Sequence, residues 1–391
     1  MPLIHYLQLA LTDAVGPITL KRMIETLGPA DSVCRASLAQ LRSVEGIGTT
    51  KAEKIHASLG KARGEAATEL AKAQQLGLQI ICPEDEVYPL LLKTIPDPPA
   101  VLYVKGTLEP RDLNAFALVG SRRCSYYGRE QAERFAALLA GAGFTVTSGG
   151  ARGVDSAAHR GAMQHPAGRT IAVLGCGLDT VYPPENKSLF DQIATRGAVI
   201  SEYPLGTPPL AENFPRRNRI VSGMSRGVLV IEADEKSGAL ITARQAADDH
   251  DRPVFALPGK VDNPLSAGPH KLIRDGAILC RNLEDLLEGL GPLPHTAVEP
   301  TLFSATQDSR LGTQDSPPPP APVDTPPANL TDRQSRILSL MGSEPMNIDL
   351  LIDRSSLPAN EVLQEMTLLT LRGQVKRVDG QTFVRRHFIK A

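Results

Sequence analysis

Residues 144–163 read FTVTSGGARGVDSAAHRGAM and carry the clearest indication of the fold. The run Phe144–Thr147 is rich in aromatic and β-branched residues, which predicts a short strand. Ser156–Met163 predicts a helix, and the glycine-rich segment between them has the turn residues that join two elements. A strand, a glycine-rich loop and a helix in this order form half of a βαβ unit, which is typical of a parallel sheet.

The same alternation extends over residues 111–290. Apolar runs of strand length follow one another, and we predict strands at Phe116–Val119, Phe144–Thr147, Ile171–Leu174, Val199–Ser201, Val228–Ile231, Val254–Leu257 and Ala277–Leu279. The segments between them predict helices at Arg129–Ala142, Ser156–Met163, Asn186–Thr195, Arg219–Met224, Ser237–Asp249 and Gly268–Arg274. Nearly continuous apolar strands suit a sheet that helices cover on both faces. The pattern therefore predicts an α/β fold with an extended Rossmann-like parallel sheet, to which Leu78–Cys82 and Val101–Val104 add two early strands.

The flanking segments differ in character from this core. Residues 1–75 predict a small all-α N-terminal domain, and the core then covers residues 76–290. Residues 291–329 carry many prolines among polar residues, a composition that cannot bury a core and predicts a disordered linker. Residues 330–391 predict helices at Thr331–Met341, Ile348–Arg354 and Asn360–Arg372, followed by alternating runs on either side of Asp379-Gly380. Three helices and a hairpin describe a winged helix.

Two glycine-containing turns of the N-terminal segment resemble each other. Ala14–Ile18 and Val44–Gly48 each precede a helix with basic residues in its first turns. The pair is similar to a helix-hairpin-helix repeat, in which backbone N–H groups face a phosphate. An ordinary packing turn between two helices needs the glycines equally, so both interpretations stay open.

Composition excludes several classes of protein. The 391 residues carry a formal net charge of −1, so any nucleic-acid site must be a local basic patch. Five scattered cysteines without a C-x-x-C pair argue against a disulfide framework or a zinc site. The N-terminus lacks the features of a signal peptide, and no apolar run approaches the roughly 18 residues of a membrane span. We expect a cytoplasmic protein without a metal.

Small and polar residues follow the predicted strands, where open parallel α/β sheets bind ligands. Gly120-Ser121-Arg122-Arg123 follows the first strand, and Ser148–Gly153 follows the second. Such loops offer N–H groups and cations to phosphate, and Phe190 or arginine planes could stack on bases. The cations expected to share this rim are Arg122, Arg123, Arg152, Lys187, Arg216, Arg217, Arg219 and Lys260.

The run Arg216-Arg217-Asn218-Arg219 is the most specific part of this rim. Three arginines within four residues, between Phe214-Pro215 and an apolar Ile-Val, are difficult to explain as a random solvated face. The alternative is structural, with some of them pairing with Glu202, Glu232 or Asp234.

Seven motifs in order resemble the DNA-processing protein A (DprA/Smf) family. They cover about residues 115–280 and are Gly120-Ser-Arg-Arg, Ser148 through His159, Tyr182-Pro-Pro-Glu-Asn-Lys, Ser201-Glu-Tyr-Pro, Phe214 through Gly223, Ser237 through Ala243, and Pro258-Gly through Ala277. The flanks are similar to family members with a sterile-alpha-motif-like or helix-hairpin-helix module and a winged helix.

The resemblance implies a non-enzymatic protein that binds single-stranded DNA in a positively charged pocket. It implies loading of the recombinase RecA onto strands coated with single-strand-binding protein, in transformation or recombination. The DNA-binding residues that it implies are Ser121, Arg122 or Arg123, Lys187 and Phe190, with Arg216, Arg217 and Asn218 as additions. The glycine-rich and basic loops add Gly120 and Arg152 to the predicted site. The resemblance also implies a homodimer formed through His270, Ile278 and Leu279.

Two rival interpretations remain. A phosphoribohydrolase-like enzyme on a related fold would carry Pro-Gly-Gly-x-Gly-Thr-x-x-Glu, a string that this sequence lacks. It also lacks a G-x-x-x-x-G-K-[ST] loop and a dinucleotide fingerprint, so we expect no cofactor, and His159 is interpreted as a packed residue. Alternatively the winged helix alone binds DNA, through Arg372, Lys376, Arg377, Arg385, Arg386 and Lys390. Glu361 and Glu365 on its candidate recognition helix argue against tight docking on duplex.

Overall fold

The structure is a computed structural model that describes residues 2–291, 330–341, 346–371, 374–377 and 382–385. The chain divides after Gly291 into two compact units. The predicted linker, 291–329, lies outside the described residues except for its first position. The Asp379-Gly380 turn and Arg372, Arg386 and Lys390 lie outside them as well.

The first unit contains nine strands in one sheet. They are β1 Gln79–Ile81, β2 Leu102–Gly106, β3 Ala115–Val119, β4 Thr145–Ser148, β5 Arg169–Val173, β6 Ala198–Ser201, β7 Val228–Val230, β8 Val254–Ala256 and β9 Ile278–Leu279. All nine were predicted, within one or two residues at each end. The short apolar runs between glycine and proline punctuation explain this agreement, because both signals are local.

Thirteen helices accompany the strands of this described unit. They are α1 Pro2–Ala10, α2 Pro17–Leu27, α3 Ala30–Cys34, α4 Leu38–Arg42, α5 Thr49–Gln75, α6 Leu90–Lys93, α7 Tyr126–Gly141, α8 Val154–Gln164, α9 Lys187–Arg196, α10 Asn213–Gly223, α11 Gly238–Arg244, α12 Ala267–Arg274 and α13 Leu283–Leu290. The helix α10 begins at Asn213 instead of the predicted Arg219. Pro215 lies in its first turn, where a missing N–H costs no helical hydrogen bond.

The strand order of the sheet is β1-β2-β6-β5-β4-β3-β7-β8-β9. The strands from β6 to β9 in this order pair in parallel, whereas β1 and β2 are antiparallel additions at the β6 edge. The predicted extended Rossmann-like sheet is therefore confirmed. After β3 the chain adds β4, β5 and β6 on one side of β3, and then β7, β8 and β9 on its other side. The direction in which strands are added therefore reverses between β3 and β7. Ligands of doubly wound sheets bind beyond the carboxyl ends of the strands at such a reversal.

The N-terminal helices share an apolar core with the β1 edge of the sheet. Leu7, Met23 and Ile55 are fully buried and belong to one cluster with Ile80 and Tyr103. The predicted boundary after residue 75 coincides with the end of α5, but the described helices and the sheet form one compact unit. Gly16 and Gly48 precede α2 and α5, as the two similar turns predicted.

The described part of the second unit is a winged helix. Its helices are α14 Asp332–Leu340, α15 Ile348–Ser355 and α16 Ala359–Leu371, and its strands are β10 Met346–Asn347, β11 Val375–Arg377 and β12 Thr382–Arg385. The strands pair in the order β10-β12-β11. Ile337, Leu351 and Val362, one from each helix, are buried in a common core. In the described part of the chain we find no helix with the length and apolar character needed to cross a membrane.

Candidate nucleic-acid interface

A cavity of about 690 Å³ lies at the reversal point of the sheet. It is formed by the loops after β3, β4 and β7 together with the first half of α10. Its lining includes Gly120, Ser121, Arg122, Arg123, Gly149, Asp155, Tyr182, Phe214, Arg217, Asn218, Asp234 and Ser237. Six of the ten predicted DNA-binding residues therefore converge on one cavity, and they come from two separate parts of the sequence.

The loop after β3 holds two exposed arginines on a fixed backbone. The backbone N–H of Ser121 donates to the carbonyl of Glu232 at 2.6 Å, and its hydroxyl accepts from the N–H of Arg123 at 3.1 Å. At Gly120 a Cβ atom would lie 2.6 Å from the side chain of Val154, so this approach requires glycine. Arg122 and Arg123 are both exposed, and the guanidinium of Arg122 lies 4.9 Å from the ring centre of Phe214. The loop thus presents two cations to the cavity.

The loop after β4 needs glycine because a buried arginine lies against it. A Cβ atom at Gly149 would lie 2.1 Å from Nη1 of Arg217 and 2.6 Å from Oδ2 of Asp155. Arg217 is only 4% exposed, and its Nη1 donates to the carbonyl of Val173 at 2.6 Å. Gly149 thus allows the guanidinium to reach the floor of the cavity.

Burial opposes the charges of both Asp155 and Arg217. It raises the pKa of Asp155 above its usual range, an effect that the positive charge of Arg217 counteracts. It lowers the pKa of Arg217, and there the carboxylate of Asp155 counteracts it. These two charges thus offset each other. The other charged side chains of the lining are Arg122, Arg123 and Asp234, which leave a surplus of positive charge.

The arginine run is divided among different surroundings because it lies on a helix. Arg219 is buried and forms ion pairs with Glu202 at 2.5 Å and with Asp97 at 3.0 Å. The expectation that Arg219 belongs to the ligand-binding rim is therefore wrong, and the structural alternative with Glu202 is confirmed for this residue. Arg216 is exposed and is not among the cavity-lining residues.

The loop after β5 is fastened to the loop after β4 beside the cavity. Asn186 is buried, and its Nδ2 donates to the carbonyl of Gly150 at 2.9 Å and to the hydroxyl of Ser156 at 2.8 Å. Arg152 forms an ion pair with Glu185 across the same two loops. Lys187 is exposed in a shallow depression on α9 with Asp191 and Gln192. Arg152 and Lys187 thus lie outside the cavity lining.

The expectation that Phe190 offers an exposed stacking surface is wrong for this structure. Its side chain is only 5% exposed and belongs to a cluster with Leu174 and Ile193. A Cβ atom at Gly150 would lie 2.9 Å from the ring, so the backbone of that loop covers Phe190. A role in binding a base stays a prediction that requires the ring to turn outward.

Tyr182 and Phe214 are the aromatic residues that line the cavity, and sequence reasoning did not single them out. Their ring centres lie 5.5 Å apart, and the guanidinium of Arg122 lies 4.9 Å from the ring centre of Phe214. Both residues belong to loop motifs with adjacent prolines, Tyr182-Pro183 and Phe214-Pro215. An aromatic residue next to a proline, in a loop predicted to bind the ligand, was the sequence feature that could have indicated their role.

The remaining predicted residues lie toward the β9 edge. Lys260 is exposed on the loop after β8 and does not line the cavity. Ile278 and Leu279 form β9 and are 36% and 41% exposed. His270 on α12 is half-buried, and its Nε2 lies 3.1 Å from the carbonyl oxygen of Gly259.

Other polar groups considered in the sequence have structural partners. His159 is fully buried beside the hydroxyl of Thr170, and burial lowers its pKa to about 3, so its interpretation as a packed residue is confirmed. In the N-terminal turns, Lys51 donates to the hydroxyl of Thr19 at 2.8 Å. On α16, Glu361 pairs with Arg333 at 2.9 Å, and Glu365 accepts from Gln334 at 2.7 Å. Arg333 offsets the charge of Glu361, so that carboxylate opposes DNA less than the sequence implied, whereas the neutral amide of Gln334 leaves the charge of Glu365 in place.

The chain is thus of the class that joins a Rossmann-like core, with a cavity at the sheet reversal, to a winged helix. A family model described as DNA recombination-mediator protein A matches residues 79–291, and one described as the DprA winged helix domain matches residues 317–381. Protein Smf of a Synechocystis strain is 35% identical over 98% of both chains. Protein Smf of Escherichia coli is 40% identical over 81% of this chain and 80% of its own. The chain therefore belongs to the DprA/Smf family of DNA recombination-mediator proteins.

A solved structure agrees with this assignment. The crystal structure of DNA processing protein A from Streptococcus pneumoniae is 34% identical and superposes with a TM-score of 0.64. The match covers 73% of this chain and 97% of that one. Membership of this family gives the chain a DNA-processing role in recombination.

Proposed function

We propose that the chain binds single-stranded DNA in the cavity at the β3–β7 reversal. The observation that carries the proposal is the placement of Arg122 and Arg123 beside the aromatic rings of Phe214 and Tyr182 in one recess. Cations that follow a phosphate backbone, combined with flat side chains that stack on bases, are the features that bind unpaired strands. Duplex DNA keeps its bases stacked inside the helix, so a recess of this kind favours a single strand.

The proposed role is binding and not catalysis. Glu232 lies two residues after β7 and is buried, and the helix start at Ser237, where a related enzyme would carry its catalytic glutamate, has none. The carboxylate of Glu232 accepts from the N–H and the hydroxyl of Ser125, each at 2.7 Å, and so holds the start of α7. Asp155 is buried and faces Arg217. Both carboxylates thus have structural partners, Ser125 for Glu232 and Arg217 for Asp155, that stabilise the loops around the cavity.

Family membership is the support for the wider role. We propose that the bound strand is protected and passed to the recombinase RecA, including strands that single-strand-binding protein has coated. Transformation and recombination are the proposed settings.

The proposed function is tested by titrating the full-length chain with fluorescent oligothymidine over a range of salt concentrations. We expect binding that weakens as salt rises, with a slope near −1.4 in log–log form if two phosphates are neutralised, at about −0.7 for each phosphate. Double-stranded DNA of the same length is the control and should bind more weakly. Absence of oligothymidine binding would contradict the proposal, and release of free base from nucleoside monophosphates would support the enzyme instead.

We also propose that two copies associate through β9. This strand lies at the end of the sheet and pairs only with β8 among the described strands. Its two residues are apolar yet exposed, and successive strand residues point to opposite faces. An exposed apolar sheet edge is a surface at which another chain can add.

Replacing both β9 residues, Ile278→Glu with Leu279→Glu, should separate the dimer. Two buried charges at an interface cost several kcal/mol, so we expect the dissociation constant to rise by about 100-fold or more. Sedimentation velocity at several concentrations measures the change. Leu90→Glu, at another exposed apolar position (59% exposed), is the matched control and should leave the association unchanged. A monomeric natural chain, or a dimer unaffected by the double variant, would contradict the proposed interface.

A further inference from the structure

A patch of exposed aromatic and aliphatic side chains lies beside the cavity on its β8 side. Tyr126 is 80% exposed, and Val261 is 93% exposed. Tyr127, next in sequence, is 44% exposed. Arg129 and Lys260, which flank these residues in sequence, are exposed as well. We call Tyr126, Tyr127, Arg129, Lys260 and Val261 the β8-side patch.

One buried carboxylate holds the two loops of the patch together. Glu232 accepts from the N–H and the hydroxyl of Ser125 at 2.7 Å and from Nδ2 of Asn263 at 3.4 Å. Ser125 directly precedes Tyr126 and caps α7, while Asn263 follows Val261 by two residues. At Gly128 a Cβ atom would lie 2.2 Å from Oε2 of Glu232, so the start of α7 lies directly against this carboxylate. Tyr126 is thus exposed on a firmly held backbone.

The loop that supplies the patch with Tyr126 also supplies the cavity with Arg123. Arg123 lines the cavity and lies only three residues before Tyr126, on the same loop whose backbone Glu232 fastens. Asp262 is also exposed next to Val261, so the charge of the patch is mixed. Stacking on the tyrosine ring, with Arg129 and Lys260 near the phosphates, is therefore the main interaction that the patch offers to a strand. Charged residues beside isolated apolar ones also differ from the charge-depleted core of a protein interface.

We propose that a single strand leaving the cavity crosses the β8-side patch, where one of its bases stacks on Tyr126. This inference deepens the proposed function and rests on it. The occupant is the continuation of the strand held at Arg122 and Arg123. Short oligonucleotides fill the cavity alone, and only longer ones reach Tyr126.

The chain contains no tryptophan, which gives a direct test. In the variant Tyr126→Trp a single indole reports on the patch, and stacking of a base quenches its fluorescence. Oligothymidines from about 4 to about 16 nucleotides cover the usual range of site sizes. We expect quenching with the longer oligonucleotides and little with the shortest. Leu76→Trp is the matched control, because Leu76 is 49% exposed and lies three residues before β1, the strand at the opposite edge of the sheet.

Fluorescence anisotropy of labelled oligonucleotides distinguishes failure of the proposed binding in the cavity from failure of the proposed path over the β8-side patch. If no oligonucleotide binds to the natural chain, the proposed function itself fails. If long oligonucleotides bind to saturation while the indole at position 126 keeps its full fluorescence, the path over the patch is wrong and the cavity proposal stands.

Affinity measurements give a second test that does not depend on the indole. Tyr126→Ala should weaken binding of the longest oligothymidine by about tenfold, whereas Tyr126→Phe, which keeps the ring, should bind as the natural chain does. The shortest oligothymidine should bind equally to all three. An equal loss for short and long oligonucleotides would overturn the path, because the substitution would then act through the cavity loop. A changed sedimentation coefficient for Tyr126→Ala would overturn it in favour of self-association at the patch.

Discussion

The variant Arg122→Ala with Arg123→Ala is expected to bind oligothymidine at least about 100-fold more weakly than the natural chain. A hydrogen bond to a charged group contributes about 1.5 kcal/mol or more, so two arginine–phosphate contacts amount to about 3 kcal/mol. These two arginines outweigh the single charge of Asp234 in the cavity lining, whereas the charge of Arg217 is offset by Asp155 and Arg219 is paired with Glu202 and Asp97. Equilibrium titration followed by anisotropy measures the loss.

Salt dependence shows whether the loss arises from phosphate contacts. Removing two contacts should reduce the slope of log affinity against log salt by about 1.4. The variant with lysine at both positions keeps the charge and should keep most of the slope, while it loses the paired geometry of the guanidinium. Arg63→Ala with Arg160→Ala removes the same formal charge from exposed positions outside the cavity lining and should change affinity little. Equal losses for the two double alanine variants would show that overall charge, and not the cavity, governs binding.

The variant Arg219→Ala should lower the free energy of unfolding by about 3–5 kcal/mol. This is the usual cost of leaving a buried charge without its partner. Arg219 is 7% exposed at its side chain and bridges two carboxylates, Glu202 at 2.5 Å and Asp97 at 3.0 Å. Loss of Arg219 leaves the carboxylate of Glu202 without its cationic partner. The side chain of Glu202 is only 14% exposed, and burial already disfavours its charged form. Urea denaturation followed by circular dichroism measures the change.

Arg216, three residues before Arg219, supplies a matched control. Arg216 is exposed on the same helix, so Arg216→Ala should change stability by less than about 0.5 kcal/mol. A triple variant that also carries Glu202→Gln and Asp97→Asn should recover much of the loss, because it removes the unpaired charges. If Arg216→Ala and Arg219→Ala destabilise equally, the ion-pair network does not stabilise the fold.

The stability loss of Arg219→Ala should also depend on pH. Burial raises the pKa of Glu202 and of Asp97, and the positive charge of Arg219 counteracts that rise. Without Arg219 the two folded-state values rise further above their unfolded values. A carboxyl group of this kind contributes stability below its unfolded pKa and loses that contribution as pH rises through the folded pKa. The loss of unfolding free energy in Arg219→Ala is therefore larger at neutral pH than at mildly acidic pH.

The order and type of the secondary-structure elements could be predicted from local sequence patterns alone. Each strand of the first unit is a short apolar run between turn residues, and both features act over a few residues, so Phe116–Val119 or Val228–Ile231 could be recognised without the rest of the chain. The glycine-rich loops could be placed at the strand ends for the same reason. The rule for parallel sheets then brought Gly120, Ser121, Arg122 and Arg123 to the correct edge of the sheet.

Which side chains face the cavity, in contrast, depends on how the elements pack together. Arg216, Arg217 and Arg219 lie on one helix, where each residue turns by about 100° from the last, so neighbours in sequence point to different surroundings. Arg217 donates a hydrogen bond to the carbonyl of Val173. Arg219 forms ion pairs with Glu202 and Asp97, and Arg216 is exposed to solvent. Phe190 is covered by the backbone of Gly150, whereas Phe214 lines the cavity. Burial and pairing of this kind depend on groups tens of residues away in sequence, and the chain brings those groups together only when it folds.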